Sequence, residues 1–306
     1  MFSITTEHIG KTFDKGQIKA LDDINIAVNK AELYGIIGPD GAGKTTLFRI
    51  LTTLWLASSG EARVEGLDVV KDYAAIRKLI GYMPGKFSLY QDLTVEENLE
   101  FFASLFNTSI QKNYALVKDI YVQLEPFKKR RAGKLSGGMK QKLALCCALI
   151  HRPKVLFLDE PTTGVDPVSR KEFWEMLKRL QQQEITILVS TPYMDEANLC
   201  DRIGLIQGGK ILSIDTPANI IQNYDRKLFA VRSDNMFQLI TDLRRNEKVN
   251  SCFGFGESLH VTMKEQQHAK TDLEQYIHSL NYQQVLVEQI VPGIEDCFME
   301  LGHVHN

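Results

Sequence analysis

A glycine-rich loop lies between an apolar run, Leu33–Ile37, and an amphipathic pattern that begins near Leu47. Its residues are Gly38, Pro39, Asp40, Gly41, Ala42, Gly43, Lys44, Thr45 and Thr46. Glycines let backbone N–H groups turn towards phosphate oxygens, and a helix that starts at such a loop adds the positive end of its dipole. Lys44 supplies a charge for the outer phosphates of a nucleotide, and the Thr45 hydroxyl can bind Mg²⁺. The loop therefore predicts a nucleotide site.

Two carboxylates follow the apolar run Val155–Leu158. Asp159 stands at the end of the predicted strand, where it can hold Mg²⁺ directly or through water. Glu160, the next residue, can polarise a water molecule for attack on a phosphate. The pattern therefore predicts phosphoryl transfer to water, with Glu160 as the catalytic base and with Thr45 and Asp159 as metal ligands.

A second anion site is predicted at Ser136-Gly137-Gly138, ahead of a helical run that ends near Ile150. A turn of small residues at a helix start exposes N–H groups that can bind phosphate. The surrounding segment, residues 135–141, reads LSGGMKQ. One chain therefore carries two candidate phosphate sites that lie far apart in the sequence.

These motifs resemble those of the ABC ATPase family, over roughly residues 2–224. The resemblance implies that the glycine-rich loop, the Walker A motif of the family, binds ATP together with Mg²⁺. It implies that the signature residues contact ATP held by a second ABC subunit in a homo- or heterodimer. These signature residues are Ser136, Gly137, Gly138 and Gln141. It also assigns Asp166 to the D-loop and Phe13 to the aromatic position that stacks on adenine.

Two positions depart from the family pattern. After the predicted strand Leu79–Met83, Gly85 stands where the family usually has a glutamine that reaches towards Mg²⁺ and the attacking water. Further on, Pro192 stands where a histidine normally contacts the γ-phosphate. Neither glycine nor proline offers a side-chain hydrogen bond there. We therefore expect normal ATP binding with slow hydrolysis. No histidine is assigned to catalysis, and His151 and His303 are expected on ordinary surfaces.

Strands and helices alternate around these motifs, and the first strand is predicted at Ser3–His8. Thr94 and Glu97 form a predicted capping box at the entry to a helical stretch. The alternation predicts an α/β fold, a P-loop NTPase core of the ABC ATPase type with a helical insertion. The ATPase domain is expected to cover residues 1–225, with the helical subdomain at about 94–151.

The pattern changes after residue 225. Strand and helix signals follow in the order βαββαβ, which predicts a small ferredoxin-like α+β accessory domain over residues 226–306. Its segment Pro292–Leu301 resembles the C-terminal tail of ATPases that serve drug, antibiotic and polysaccharide exporters with separate membrane subunits. The segment Ser88–Leu99 shows the same resemblance, which implies an integral-membrane permease as partner. The apolar residues within Phe87–Leu93 either contact that subunit or pack against the helical insertion, and the pattern leaves both open.

Composition limits the other function classes. The chain has 306 residues, with 36 basic and 38 acidic side chains and a net charge of −2, so no nucleic-acid partner is expected. No apolar run approaches the roughly 18 residues of a membrane span. The five cysteines have no metal-site spacing and are expected to be inert. We therefore expect a peripheral protein on the cytoplasmic face of the cell membrane.

The expected function is ATP binding and hydrolysis that energise export by an ABC membrane transporter. Soluble machines of translation and DNA repair share the fold, so the fold alone does not decide. Translation-type members usually carry two cassettes, and repair-type members carry a long coiled coil, whereas this sequence has one cassette and no such insertion. The remaining alternative is a regulatory nucleotide-binding subunit with little or no hydrolysis, because Gly85 and Pro192 replace the usual glutamine and histidine.

Overall fold

The computed structural model describes residues 1–304, apart from the side chains of Lys15, His303 and Val304. The strands are β1 (Phe2–Phe13), β2 (Ile18–Asn29), β3 (Leu33–Ile37), β4 (Ser59–Val64), β5 (Leu67–Asp68), β6 (Ile80–Met83), β7 (Val155–Asp159), β8 (Thr186–Thr191), β9 (Arg202–Gln207), β10 (Lys210–Asp215), β11 (Leu228–Arg232), β12 (Val249–Phe255), β13 (Ser258–Met263) and β14 (Leu286–Ile290). The helices are α1 (Lys44–Leu51), α2 (Tyr73–Leu79), α3 (Val95–Leu105), α4 (Ile110–Leu124), α5 (Gly137–Leu149), α6 (Pro167–Gln181), α7 (Pro217–Gln222), α8 (Met236–Arg245), α9 (Ala269–Ser279) and α10 (Ile294–Val304).

The chain divides into two compact units, Met1–Pro217 and Ala218–Asn306. The sequence pattern placed the boundary after residue 225, behind α7, whereas the structure divides the chain at the first turn of this helix. Within the second unit, the Cys297 thiol donates to the Ile220 carbonyl over 3.7 Å, which ties α7 to α10. Each unit has its own core, and residues 305 and 306 of the predicted accessory domain lie outside the described part.

The first unit is built around a six-stranded sheet in the order β10-β9-β3-β8-β7-β6. Its strands from β9 to β6 run parallel, and β10 pairs antiparallel with β9. β3, β7 and β8 are buried along their whole length. Strands that are covered on both faces need continuous apolar runs, which explains Leu33–Ile37 and Val155–Leu158. Because β3 and β7 run parallel, the loop that follows β3 and the carboxylates at the end of β7 emerge at the same edge of the sheet.

A second, antiparallel sheet in the order β2-β1-β4-β5 covers the first one. Helix α1 lies between the two sheets, where Leu47 and Phe48 join Ile4 and Leu21 in one core. β1 continues beyond the predicted Ser3–His8 segment, because register shifts near His8 let the strand bend while it stays paired with β2. The adenine candidate Phe13 is therefore the last residue of β1.

Helices α3, α4 and α5 form the helical insertion. The predicted capping box at the start of α3 is confirmed: Thr94 Oγ1 accepts from the Glu97 N–H, and Glu97 accepts from the Thr94 N–H. Asn98, fully buried in the next turn, donates to the carbonyls of Tyr90 and Thr94 over 3.0 and 2.9 Å. These bonds fix the loop that leads into the insertion.

His151, at the end of this insertion, is not an ordinary surface residue. Its ring stacks on Phe106 with centroids 3.8 Å apart, and its Nε2–H donates to the Ile80 carbonyl over 2.9 Å. The Nδ1 atom is buried and has no hydrogen-bond partner within the described part. The expectation was wrong because Phe106 and Ile80, which hold the ring, are distant in sequence and no local pattern indicates these contacts.

The second unit has the strand order β12-β13-β11-β14, with antiparallel pairing throughout. Helices α8 and α9 supply Leu239, Leu273 and Ile277 to a core that they share with Phe229 and Val231 of β11. This order of βαββαβ elements is that of the ferredoxin-like arrangement. Among residues 1–304, no helix combines the length and apolar character that a bilayer crossing requires.

Candidate functional site

The glycine-rich loop joins β3 to α1 and is held by backbone hydrogen bonds at both ends. The Gly38 N–H donates to the Thr191 carbonyl over 3.2 Å, and Ala42 O accepts from a neighbouring loop. Gly43 has φ +106°, and a Cβ there would lie 2.6 Å from the Ala20 carbonyl oxygen. Only glycine fits both the left-handed backbone and this close approach. The loop can therefore turn its N–H groups towards an anion at the start of α1.

Lys44 is nearly buried, at 3% exposure. Its ammonium group donates to the carbonyls of Gly38 and Pro39 over 2.8 and 3.0 Å, and it lies 3.0 Å from Glu160 Oε1. These contacts hold the charge at the mouth of the loop. A charged donor binds an anionic phosphate oxygen more strongly than it binds a neutral carbonyl oxygen. The Lys44 ammonium group is therefore suited to the outer phosphates of a nucleotide. Thr45 and Thr46 stand half-buried in the same first turn of α1.

Asp159, at the end of β7, is buried, and its Oδ1 accepts from the Ser190 hydroxyl over 2.7 Å. Burial and, after it, the charge of Asp159 raise the pKa of Tyr82 to about 12. A carboxylate and the Thr45 hydroxyl are hard oxygen ligands that suit Mg²⁺, which commonly keeps waters and substrate phosphates as its other ligands. The donor set therefore fits the implied metal.

Glu160 has φ +51°, in the left-handed region that residues other than glycine rarely occupy. Its N–H donates to both the carbonyl and the hydroxyl of Ser190, over 3.1 and 3.0 Å. This backbone geometry turns the Glu160 side chain towards Lys44. The structure thus brings together Lys44, Asp159 and Glu160, the candidate phosphate-binding lysine, metal ligand and base.

The signature lies in a different neighbourhood. Ser136 caps α5 by accepting from the Met139 N–H over 3.4 Å, and Ser136 and Gly137 are exposed. Gly138 packs against α6, where an added Cβ would lie 2.8 Å from Ser169 Oγ. The contacts of the signature therefore run to α6, whereas those of Lys44 run to the ends of β3 and β7. The remaining signature residue, Gln141, is half-buried on α5.

Asp166 caps α6, as its position before Pro167 suggested. Its carboxylate accepts from the Ser169 N–H over 3.0 Å, and this hydrogen bond holds the pKa of Asp166 below its usual value. The D-loop candidate and the signature thus both meet Ser169.

Phe13 is half-buried at the end of β1. Its ring meets the Trp55 ring edge-on, with centroids 5.4 Å apart, and Lys11 Nζ lies 5.1 Å from its centroid. Arg49 of α1 covers another part of the Trp55 ring at 4.4 Å. The candidate adenine residue is therefore part of a cationic and aromatic cluster beside the helix that carries the phosphate loop.

The two departures from the family pattern lie at the candidate site. A Cβ on Gly85 would lie 3.0 Å from the Asp159 carbonyl oxygen and 3.8 Å from Glu160 Cβ. Pro192 follows Thr191, whose carbonyl binds the Gly38 N–H. A side chain at position 85 would therefore require the end of β7 or the loop of Gly85 to shift by a few tenths of an ångström.

Sequence reasoning missed a buried polar network around Glu196. This carboxylate accepts from the hydroxyls of Thr162 and Thr191 over 2.8 and 2.5 Å and pairs with Arg170 over 3.0 Å. The network joins the turn after Glu160, the segment of Pro192 and helix α6. No motif predicts it, because the three segments meet only through the strand order.

Residues 21–163 match the family model described as ABC transporter. The chain is 36% identical over 303 residues to "Probable multidrug ABC transporter ATP-binding protein YbhF" of Escherichia coli, a match that covers 97% of this chain and 52% of that protein. It is 34% identical over 318 residues to "Daunorubicin resistance ATP-binding protein DrrA2" of Streptomyces coeruleorubidus, covering 99% of this chain and 96% of that protein.

Among solved structures, the dimeric ATP-binding cassette MJ0796 bound to ADP and Pi matches with a TM-score of 0.63 at 25% identity. This match covers 70% of the present chain and 98% of the other. The chain spans about half the length of the first curated relatives, at 52% of each.

Proposed function

The chain belongs to the family of ABC transporter ATP-binding proteins, and on this premise we propose that it hydrolyses ATP to energise export by a membrane transporter. The observation that carries the proposal is the convergence of Lys44, Asp159 and Glu160 at the edge of one sheet. A cation for the outer phosphates, a metal-binding carboxylate and a base for water are the groups that phosphoryl transfer to water requires. The names of the relatives YbhF and DrrA2 support export.

The protein acts as a homo- or heterodimer in which the signature of one subunit closes the ATP site of the other. Ser136 and Gly137 are exposed at the start of a 13-residue helix. Their N–H groups can bind the phosphates of a nucleotide held by the partner subunit. Asp166 and the signature both lie against the first turn of α6, so they would meet the partner together. The dimer of the similar cassette MJ0796 supports this arrangement.

An integral-membrane permease is the second partner, and it docks in an apolar groove of the first unit. The groove has a volume of about 510 Å³ and is lined by residues that include Leu54, Ser88, Phe102, Leu105 and Phe106. Leu54 and Leu105 are 52% and 59% exposed at this groove, and a contiguous exposed apolar surface is typical of a protein–protein contact site.

Within the segment Phe87–Leu93, Leu89 is buried, and Tyr90 packs edge-on against Phe101 of α3 with centroids 4.8 Å apart. Tyr90 is nevertheless 51% exposed, so part of its ring stays available to a partner. Ser88 lines the groove. Docking there places the chain at the cytoplasmic face of the cell membrane, where ATP is supplied.

Hydrolysis is slow in the isolated chain. Gly85 and Pro192 supply neither of the two side chains that usually assist the attacking water and the γ-phosphate, whereas Glu160 remains. The alternative of a purely regulatory subunit has no finding in its favour.

Cysteine crosslinking from the groove tests the proposed partner. The five native cysteines are buried, so Ser88→Cys adds an accessible thiol at a defined place. In native membrane vesicles, we expect this variant to crosslink to an integral-membrane protein. In a separate assay, we expect the purified chain to hydrolyse Mg-ATP. Glu184→Cys, at an exposed turn remote in sequence from the groove, is the control. Crosslinks from Ser88→Cys that stay within the chain, or equal crosslinking from both variants, would contradict docking at this groove.

A further inference from the structure

Ser190 is one of three hydroxyl-bearing residues in the fully buried strand β8. It has no exposed surface, and the parallel register of β7 and β8 pairs it with Asp159. Paired residues of neighbouring strands point to the same face of a sheet. The Ser190 hydroxyl is therefore held beside the carboxylate by the sheet itself, without the mobility of a loop.

The directions of its two hydrogen bonds follow from the partners. An ionised carboxylate can only accept, so the Ser190 hydroxyl donates to Asp159 Oδ1, over 2.7 Å. A backbone N–H can only donate, so the same oxygen accepts from Glu160, over 3.0 Å. One hydroxyl thus contacts both the candidate metal ligand and the candidate base.

The second contact acts on an unusual backbone. Glu160 adopts a left-handed φ of +51°, and its N–H is shared between the carbonyl and the hydroxyl of Ser190. A non-glycine residue keeps such a conformation only when its surroundings hold it. This conformation directs the Glu160 carboxylate to within 3.0 Å of Lys44.

We propose that Ser190 is a positioning residue for the ATPase reaction: it orients the Asp159 carboxylate for Mg²⁺ and fixes the backbone that aims Glu160. This inference rests on the proposed ATPase function. Residues that orient metal ligands from behind typically change metal affinity or activity by about 10–100-fold when they are lost. The hydroxyl of Ser190 has the place of such a residue, and it serves the base as well.

The test compares Ser190→Ala with Ser190→Thr, which keeps a hydroxyl, and with Thr186→Val. Thr186 is a buried hydroxyl residue at the other end of β8 whose oxygen accepts from the Ala31 N–H, so its loss affects stability without reaching the site. Mn²⁺ is titrated into each protein with a non-hydrolysable ATP analogue, and free Mn²⁺ is followed by paramagnetic resonance. Nucleotide affinity in EDTA and single-turnover hydrolysis are measured in parallel.

Ser190→Ala should weaken Mn²⁺ binding by about tenfold or more and slow hydrolysis, with the metal-free nucleotide affinity unchanged. Ser190→Thr should restore much of both, and Thr186→Val should alter neither. If Ser190→Ala fails to fold, Ser190→Cys, with a similar volume and a weaker donor, carries the same expectation. Equal Mn²⁺ affinity and rate in a folded Ser190→Ala would overturn the role of Ser190. A wild-type chain without nucleotide-dependent Mn²⁺ binding would instead overturn the proposed ATPase function.

Discussion

Lys44 Nζ lies 3.0 Å from Glu160 Oε1, although the two residues are more than a hundred positions apart. The lysine belongs to the proposed phosphate loop, and the glutamate follows the strand that ends in Asp159, the proposed metal ligand. A phosphate bound to Lys44 would therefore lie next to a carboxylate that can accept a proton from water. In the proposed reaction, this pair would bring the group that binds ATP next to the group that activates water.

Lys44→Ala should weaken ATP binding by tens- to hundreds-fold. Charge-assisted hydrogen bonds contribute roughly 1.5–3 kcal/mol each, and Lys44 can supply more than one of them. Titration with a fluorescent ATP analogue measures the change. Lys71→Ala, an exposed lysine outside the loop, is the matched control and should bind as wild type does. Unchanged affinity in Lys44→Ala would mean that this loop is not the phosphate site.

Phe13→Ala should weaken ATP binding by about tenfold, because stacking of an aromatic side chain on a base contributes roughly 1–3 kcal/mol. Trp55 contacts the Phe13 ring, so the fluorescence of Trp55 can report on this position. Trp174→Phe removes the emission of the second tryptophan. We expect ATP to change the emission of Trp55 in that background. Phe2→Ala, at the exposed start of the same strand, should leave the affinity unchanged. Similar losses in the two alanine variants would argue against adenine stacking at Phe13.

Pro192→His should raise the single-turnover rate of hydrolysis by about tenfold. A donor aimed at developing phosphate charge typically contributes about 10²–10³ in rate, and the looser backbone after loss of proline reduces the gain. Rapid-quench measurements report this rate. Brisk wild-type turnover without a gain in Pro192→His would show that other groups already supply the contact.

Gly85→Gln should not raise the rate. A Cβ at this position would lie 3.0 Å from the Asp159 carbonyl oxygen, so the side chain would push on the strand end that carries the proposed metal ligand. Gly85→Ala adds this Cβ alone and separates crowding from chemistry. We expect both variants to be slower than wild type in the same rapid-quench assay. A faster Gly85→Gln with an unchanged Gly85→Ala would show that the loop can move aside and that the glutamine is functional.

His151 should make the stability of the first unit depend on pH. Burial lowers the pKa of His151 from its ordinary 6.5, and the hydrogen bond to Ile80 offsets this only in part. Below that ordinary value the unfolded chain binds more protons than the folded one, so this contribution to stability is lost as the pH falls. The melting temperature of wild type should therefore drop more between about pH 7.5 and pH 5.5 than that of His151→Gln. Equal drops would contradict the burial argument, and His278→Gln, at an exposed helix position, should behave as wild type does.

Much of the fold is predictable from the sequence because its signals are local. The apolar runs of β3 and β7, the capping box at Thr94 and the cap at Asp166 each depend on neighbouring residues, and the structure contains all four. The order of the predicted elements also gives the ferredoxin-like arrangement of the second unit.

The contacts that organise the candidate site are not predictable in this way. Ser190 contacts Asp159 because β8 lies beside β7 in a particular register. The Glu196 carboxylate binds side chains from three segments that the strand order brings together. The one local signal is a polar residue in a buried strand. Burial of the Ser190 hydroxyl without a hydrogen-bond partner would cost folding free energy, so its position there indicates a partner. The close passage of Gly85 past β7 likewise follows from tertiary packing, and the sequence alone shows only a missing glutamine.

The central claim is that Glu160 is the base of an ATPase whose nucleotide binds at Lys44, and Glu160→Gln tests it most directly. This change keeps the shape of the side chain and removes its ability to accept a proton. Glu184→Gln, an exposed carboxylate outside the site, is the matched control. Size-exclusion chromatography with ATP and Mg²⁺ reports whether the variant accumulates as a longer-lived dimer than wild type.

Single-turnover hydrolysis of ³²P-labelled ATP by wild type, Glu160→Gln and Glu184→Gln is the deciding measurement. We predict that Glu160→Gln binds ATP as well as wild type does but hydrolyses it about 10²-fold more slowly or worse, the range that a general base contributes. Glu184→Gln should match wild type in both respects. Hydrolysis by Glu160→Gln at the wild-type rate, with ATP bound at the same affinity, would contradict the account.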